Sequence, residues 1–385
     1  MIVRAGILYD GTLAAPRRNV ELVIEGGKIA EIRNAAEGTR ADLSAACAMP
    51  GLVNAHAHVV GSGEANTMAA IATMSQNEAM LAAVNNAAKS LHAGVTTIRD
   101  LGSHFGIAHA LREAINAGKV PGPRMRVAGR ALCITGGHGW FIGRQVDGPW
   151  DARKAVREEL MAGADCIKVI ATGGVLTKGA VPGNAQLLPE ELSAAIDEAH
   201  RHGLRVAAHA IGTEGIKNAL RAGIDSIEHG QMLDDEAIEL FLARDVRLVP
   251  TLAAVTCILD HVHEGAQPSW VVEKAEVVNE AMLRNVRRAY EAGVKIAGGS
   301  DAGTPYNGHD NYAQEVILMH TLLGMTPQQA LHAATNVAAE LIGLHRGVLG
   351  VGEPADIVMT ARDISDDIYS LRQPSHVVQA GEALG

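Results

Sequence analysis

Five separated stretches of this chain end in side chains suited to holding a metal ion or moving a proton. An apolar run beginning at Met49 closes on His56-Ala57-His58. Lys168 lies inside DCIKVIA (165–171), and His209 closes LRVAAHA (204–210). Glu228-His229 closes IDSIEHG (224–230), and Ser300-Asp301 closes VKIAGGSD (294–301). Residues two apart on a strand point to the same face, so His56 and His58 can share one ion. Imidazole suits zinc and similar borderline metals, and an aspartate adds an oxygen ligand. A lysine within a buried strand is costly unless it loses its proton. Once neutral it can take up CO2, and the resulting carbamate is an anion whose two oxygens can bridge two ions. The pattern therefore predicts two divalent ions, zinc foremost, about 3.5–4 Å apart with a hydroxide nucleophile between them. His56, His58 and Asp301 would hold one ion, His209 and His229 the other, and carboxylated Lys168 both. Asp301 would take the hydroxide proton and deliver it to the leaving group.

Side chains so far apart in sequence need a scaffold that gathers strand ends. Eight short apolar runs occur, at 49–56, 95–100, 124–129, 165–171, 204–210, 224–230, 246–252 and 294–301. Helical patterns such as PEELSAAIDEAHRHG (189–203) and GTEGIKNALRAG (212–223) separate them, with glycines such as Gly94, Gly203, Gly223 and Gly293 at the helix ends. The runs do not alternate polar with apolar, as parallel strands buried on both faces should not. Eight strand–helix repeats predict an α/β protein with a (β/α)8 TIM barrel, whose chemistry sits at the C-terminal strand ends. Both termini instead read as hairpins, around Gly26-Gly27 and in GVLGVGEPADIVMTA. The expected division is a barrel at 51–345 and a β-sandwich built from 1–50 plus 346–385. Residues 257–275 are less periodic and read as a loop or lid.

Composition narrows the function. The 385 residues carry a net charge of −10, which argues against a nucleic-acid partner, since that needs a basic face. Cys47, Cys133, Cys166 and Cys257 form no CxxC pair, so neither a zinc knuckle nor a disulfide scaffold is expected. MIVRAGILYD has no signal-peptide pattern and no apolar stretch reaches 18 residues. These features point to a cytoplasmic protein acting on a small molecule without a membrane span.

PGLVNAHAHVV (50–60), ADCIKVIATGG (164–174), VAAHAIGTEG (206–215), SIEHG (226–230) and GGSDAGTP (298–305) resemble the amidohydrolase superfamily across nearly the whole chain. The lysine in the fourth run is similar to its binuclear subtype with a carboxylated lysine; the deaminases lack that lysine. AGVTTIRDLG (93–102), ITGGHG (134–139) and ATGGVLTKG (171–179) resemble the imidazolonepropionase-related peptidases, which cleave Xaa-Pro or Xaa-Lys/Arg dipeptides and N-acyl amino acids, and the mycotoxin amide hydrolases. The resemblance implies a hydrolase of small carboxylate-bearing amides, with His138 at the scissile carbonyl and a homo-oligomeric assembly. Esters, lactones or phosphotriesters are the alternative substrates for such a centre. Relatives often carry a tyrosine where this chain has Ile211. Arg144 and Lys178, on loops after the third and fourth runs, are candidate carboxylate contacts. Trp140, Tyr306 and His309 are candidate substrate contacts at the mouth, and Phe141 adds a second aromatic beside Trp140. His320, His332 and His345 fall in apolar helical stretches and read as packing residues.

Overall fold

The structure, a computed structural model, describes residues 1–36, 38, 40–344 and 347–384. The four N-terminal strands are β1 (Ile2–Leu8), β2 (Arg17–Glu25), β3 (Lys28–Asn34) and β4 (Leu43–Pro50). Five more run to the middle of the chain: β5 (Leu52–Ala57), β6 (Val95–Asp100), β7 (Arg124–Val127), β8 (Ala131–Cys133) and β9 (Gly143–Gln145). Then come β10 (Cys166–Ile170), β11 (Arg205–Ala210), β12 (Ser226–His229) and β13 (Arg247–Val249). β14 (Ile357–Thr360), β15 (His376–Gln379) and β16 (Glu382–Ala383) end the chain.

The two termini meet in one seven-stranded sheet of order β16-β15-β14-β4-β1-β2-β3. Its buried side chains, Val3, Leu22, Ile29 and Ile357 among them, form a core of their own. His345 and the expected boundary at 345/346 lie outside the described residues.

The middle of the chain forms parallel sheets with helices between the strands. One has the order β5-β6-β7 and the other β13-β12-β11-β10-β8-β9. β7 and β8 are one run interrupted at Ala128–Arg130; the first half pairs with β6 and the second with β10. The runs are buried throughout, as in β5, β6 and β10, which accounts for their lack of alternation. The eighth run, 294–301, departs from expectation. It forms only isolated parallel bridges, Leu248↔Ile296 on one side and Ala57↔Ala302 on the other. Gly298-Gly299 explain the irregularity. A Cβ on Gly299 would lie 2.9 Å from the His56 nitrogen and 2.5 Å from Val249 Cγ1. Glycine lets this segment press against β5 and bring Asp301 beside His56.

The segment expected to be loop or lid is mostly ordered. Leu252–Asp260 and Ser269–Glu291 are helices, leaving 261–268 as the connection with one 3-10 turn. The helix Leu252–Asp260 is pinned from a distance: buried Glu315 accepts hydrogen bonds from the backbone N–H groups of Leu252 at 2.9 Å and Ala253 at 2.7 Å. Burial pushes the Glu315 carboxyl up to about 8. The folded chain then holds a proton that the unfolded chain releases, so stability should fall as pH rises from about 4.5 to about 8. Urea midpoints across that window should converge between wild type and Glu315→Gln at the acid end and separate at the alkaline end. Parallel pH profiles would refute this. Among the described residues, no helix is long and apolar enough to cross a membrane.

Candidate metal centre

The ends of β5, β10, β11 and β12, together with the eighth run, converge on one cleft. His56, His58, Lys168, His209, His229 and Asp301 all line it, as does His138. Three backbones at this rim are forced into the left-handed region: His229 at φ 76°, Thr251 at φ 48° and Asp301 at φ 59°. Such conformations cost on the order of 1–3 kcal/mol each in non-glycine residues, and here two of the three carry predicted ligands.

One ring nitrogen of each histidine is taken up by the protein. His56 Nδ1 pairs with Glu228 Oε2 at 2.9 Å, His58 Nδ1 with the Gly102 carbonyl at 3.0 Å and His229 Nδ1 with Thr251 Oγ1 at 2.7 Å. His209 is reversed, its Nε2 donating to the Gly173 carbonyl at 3.0 Å. The nitrogens left over are Nε2 of His56, His58 and His229 and Nδ1 of His209. Fixing one nitrogen sets the tautomer and presents the other as a metal ligand. Asp301 Oδ1 lies 3.3 Å from His56 Nε2 and 3.2 Å from His58 Nε2. The ligand atoms of these three residues fall within 4.8 Å of one another. The His229 ring centre is 5.2 Å from that of His56 and 4.5 Å from that of His209.

Charge in the cleft suits cation binding. Burial pushes the His56, His209 and His229 imidazoles well below their ordinary value, so they are neutral and free to ligate. Burial alone would raise the Asp301 carboxyl, but the hydrogen bond from His58 and the charge of Lys168 act against it and keep the group below its ordinary value. Lys168 is buried, and its Nζ has no hydrogen-bond partner. Burial brings its ammonium down to about 8, which makes the neutral amine accessible. An unpartnered buried amine calls for a partner, and Asp301 Oδ1 likewise lacks an aligned hydrogen bond. These two atoms and the spare histidine nitrogens make a donor set that fits divalent ions and a carbamate on Lys168.

His138 stands beside this cluster, its ring centre 4.5 Å from that of His209. Burial lowers its imidazole to about 4, so it is neutral. Thr177 Oγ1 accepts from the Gly139 N–H at 3.2 Å and lies 2.8 Å from His138 Nδ1. The same hydroxyl carries a proton of its own, and in the tautomer in which it donates to Nδ1 the ring proton sits on Nε2. Gly174 makes room for that nitrogen, since a Cβ there would meet Nε2 at 2.3 Å.

The expected substrate contacts are not gathered in the same way. Arg144 does not line the cleft; Asp151 and Glu158 hold its guanidinium, with Nη2 2.8 Å from Asp151 Oδ1 and Nε 3.1 Å from Glu158 Oε2. Lys178 is exposed and also outside. Trp140 is half exposed; its neighbours Phe141 and Ile142 line the cleft instead. Tyr306 stacks on His261 at 4.4 Å between ring centres. His309 is buried, with Nε2 near the carbonyls of His58 at 3.2 Å and Gly61 at 3.0 Å, so it braces the loop after β5 and does not face the cleft.

The residues behind the cluster went unassigned in the sequence. Arg99 is fully buried and donates to the Ala55 carbonyl at 2.6 Å, to Ser226 Oγ at 3.3 Å and to Glu228 Oε1 at 2.9 Å. Asp100 accepts from the N–H groups of Val59 at 2.8 Å and Gly102 at 3.3 Å, fixing the loops that carry His58 and its partner. The adjacent charges Arg99-Asp100 closing an apolar run, and Glu228 before His229, were the available signals.

A family model described as the amidohydrolase family matches residues 47–384. Ochratoxinase from Aspergillus niger is 31% identical over 99% of this chain and 86% of its own length. The crystal structure of a Xaa-Pro dipeptidase with bound methionine superposes with a TM-score of 0.91 at 31% identity, covering 100% of this chain and 99% of that one. The A. niger ochratoxinase crystal structure gives 0.87 at 28% identity, covering 99% and 94%. The chain belongs to the amidohydrolase family and is a hydrolase acting on amide bonds.

Proposed function

We propose that this protein is a binuclear metal-dependent amidase of small molecules, with Lys168 carboxylated and zinc the expected metal. The observation that carries the reading is the buried, unpartnered Lys168 Nζ in a cleft it shares with five histidines and Asp301. We take the parallel strands as one closed eight-stranded barrel spanning 51–345, supported by the bridges that join the eighth run to both neighbours. The terminal strands, 1–50 plus 346–385, are taken as a separate β-sandwich domain.

His56, His58 and Asp301 would hold one ion, His209 and His229 the other, and the Lys168 carbamate both. The ions supply a nucleophile at neutral pH and a Lewis acid for the carbonyl. The protein does the rest. Asp301, kept ionised, receives a proton and returns it to the leaving nitrogen. The His138 Nε2–H donates a hydrogen bond to the carbonyl oxygen as negative charge develops there, keeping its proton. Because burial keeps that ring neutral, it acts as a hydrogen-bond donor throughout the neutral range. Relatives named for ochratoxin and Xaa-Pro substrates are consistent with cleavage of an amide flanked by sizeable groups.

The test is metal content of the purified chain together with hydrolysis of a panel of dipeptides, N-acyl amino acids and N-aryl amides. About two ions per chain, and amide hydrolysis lost on chelation and restored by zinc, are expected. His138→Gln should retain the metal while losing about 10²–10³-fold in kcat, the usual effect of removing one oxyanion donor. Amide hydrolysis that survives chelation would overturn the proposal.

A further inference from the structure

We infer that the cleft is shaped for an uncharged amide with an apolar group on each side of the scissile bond, and that it disfavours substrates bearing a free α-carboxylate. This rests on the amidase reading above and names its substrate class. Two apolar walls flank the cluster. Met68, Phe141 and Ile142 form one, backed by the core around Val59 and Ile71. Val175, Ile211 and Ile258 belong to a second buried cluster and form the other. Walls packed into core clusters are pre-formed, which suits a ligand that offers shape and apolar area.

Outside His138 and the residues assigned to the metal centre, the described lining offers no cationic side chain for a carboxylate. Among the described residues that line the cleft, the only lysine or arginine is Lys168, which the metal centre uses. The nearby cations are engaged elsewhere: Arg144 by Asp151 and Glu158, and Lys274 by the carbonyl of Thr177 at 2.8 Å. Ile211, directly after His209-Ala210, offers a hydrocarbon surface. The polar lining points the same way. Gln231 is 1% exposed and lines the cleft, and its Oε1 has no hydrogen-bond partner. An unpaired buried acceptor welcomes a substrate N–H and opposes a second anion. With no other cationic side chain in the described lining, a bound carboxylate would lack a charged partner from the protein.

A matched pair isolates the carboxylate: N-acetyl-L-phenylalanine and N-(2-phenylethyl)acetamide, which differ by that group alone. Binding is read by calorimetry on the metal-loaded full chain, and hydrolysis by kcat/KM. The neutral compound should bind at least about tenfold more tightly, equivalent to about 1.4 kcal/mol, and should be cleaved with at least that preference. Ile211→Arg should reverse the preference by supplying the missing cation. Equal or tighter binding of the carboxylated compound by wild type would overturn the inference, as would failure of the neutral compound to bind at millimolar concentration. Selective binding of the neutral compound with no cleavage of either would support the cleft assignment and count against the amidase reading.

Discussion

Lys168→Met should abolish the binuclear centre while leaving the chain folded. Methionine has a similar length, carries no charge and matches the buried apolar strand around it. Replacing an unpartnered buried amine by such a side chain is neutral or stabilising for folding. Metal content should fall from about two ions to about one or fewer. Amide hydrolysis should drop by about a thousandfold, since several kcal/mol of charge stabilisation is lost at roughly 1.4 kcal/mol per tenfold. Lys168→Ala adds a discriminating arm. The space it opens can admit a short carboxylic acid such as propionate, whose two oxygens can stand in for the carbamate and restore part of the activity. Rescue by propionate, and not by propylamine, would assign the role to an oxygen anion. Metal content and activity unchanged within about threefold in Lys168→Met would refute the bridging role and leave the metal held by the histidines and Asp301 without Lys168. Chain denaturation at an unchanged urea midpoint separates either outcome from misfolding.

How far the sequence went depended on the kind of residue. The candidate ligands were legible because polarity is conspicuous where an apolar run ends: His56, His58, His209, His229 and Asp301 interrupt runs that otherwise contain few polar groups, and all reach one cleft. Strand positions were legible for the same reason, through continuous burial. The eighth run kept its place but not its regularity, because Gly298-Gly299 trade strand geometry for close approach to His56. Residues whose role depends on partners far along the chain were not legible. Arg144 reads as a free loop cation until Asp151 and Glu158 are seen to enclose it. His309 reads as a mouth residue until its ring is found against the carbonyls of His58 and Gly61. Thr177 and Thr251 carry no local signal, yet each pairs with Nδ1 of a cleft histidine.

Glu228 and Arg99 should affect metal affinity and stability in separable ways. His56 Nδ1, Glu228 and Arg99 form one buried relay, with contacts of 2.9 Å at both ends of the carboxylate. Arg99→Met leaves Glu228 charged and buried without its cation, and should cost about 3–5 kcal/mol of stability. Glu228→Gln keeps an acceptor for Arg99 but turns an N–H₂ toward His56 Nδ1. To accept that bond the ring must shed its Nδ1 proton, so the neutral tautomer now carries the proton on Nε2, which faces Asp301. Ligation then requires that proton to leave, and metal affinity should fall about 10–100-fold. Competition with a calibrated chelator measures this directly. In the double variant the stability loss should be smaller than the sum of the single losses, because neither partner is left charged and alone. Metal affinity in Glu228→Gln within about threefold of wild type would show that the carboxylate only neutralises Arg99 and does not orient His56. A loss of affinity with stability largely retained would show that this buried charge sets the direction of a ligand.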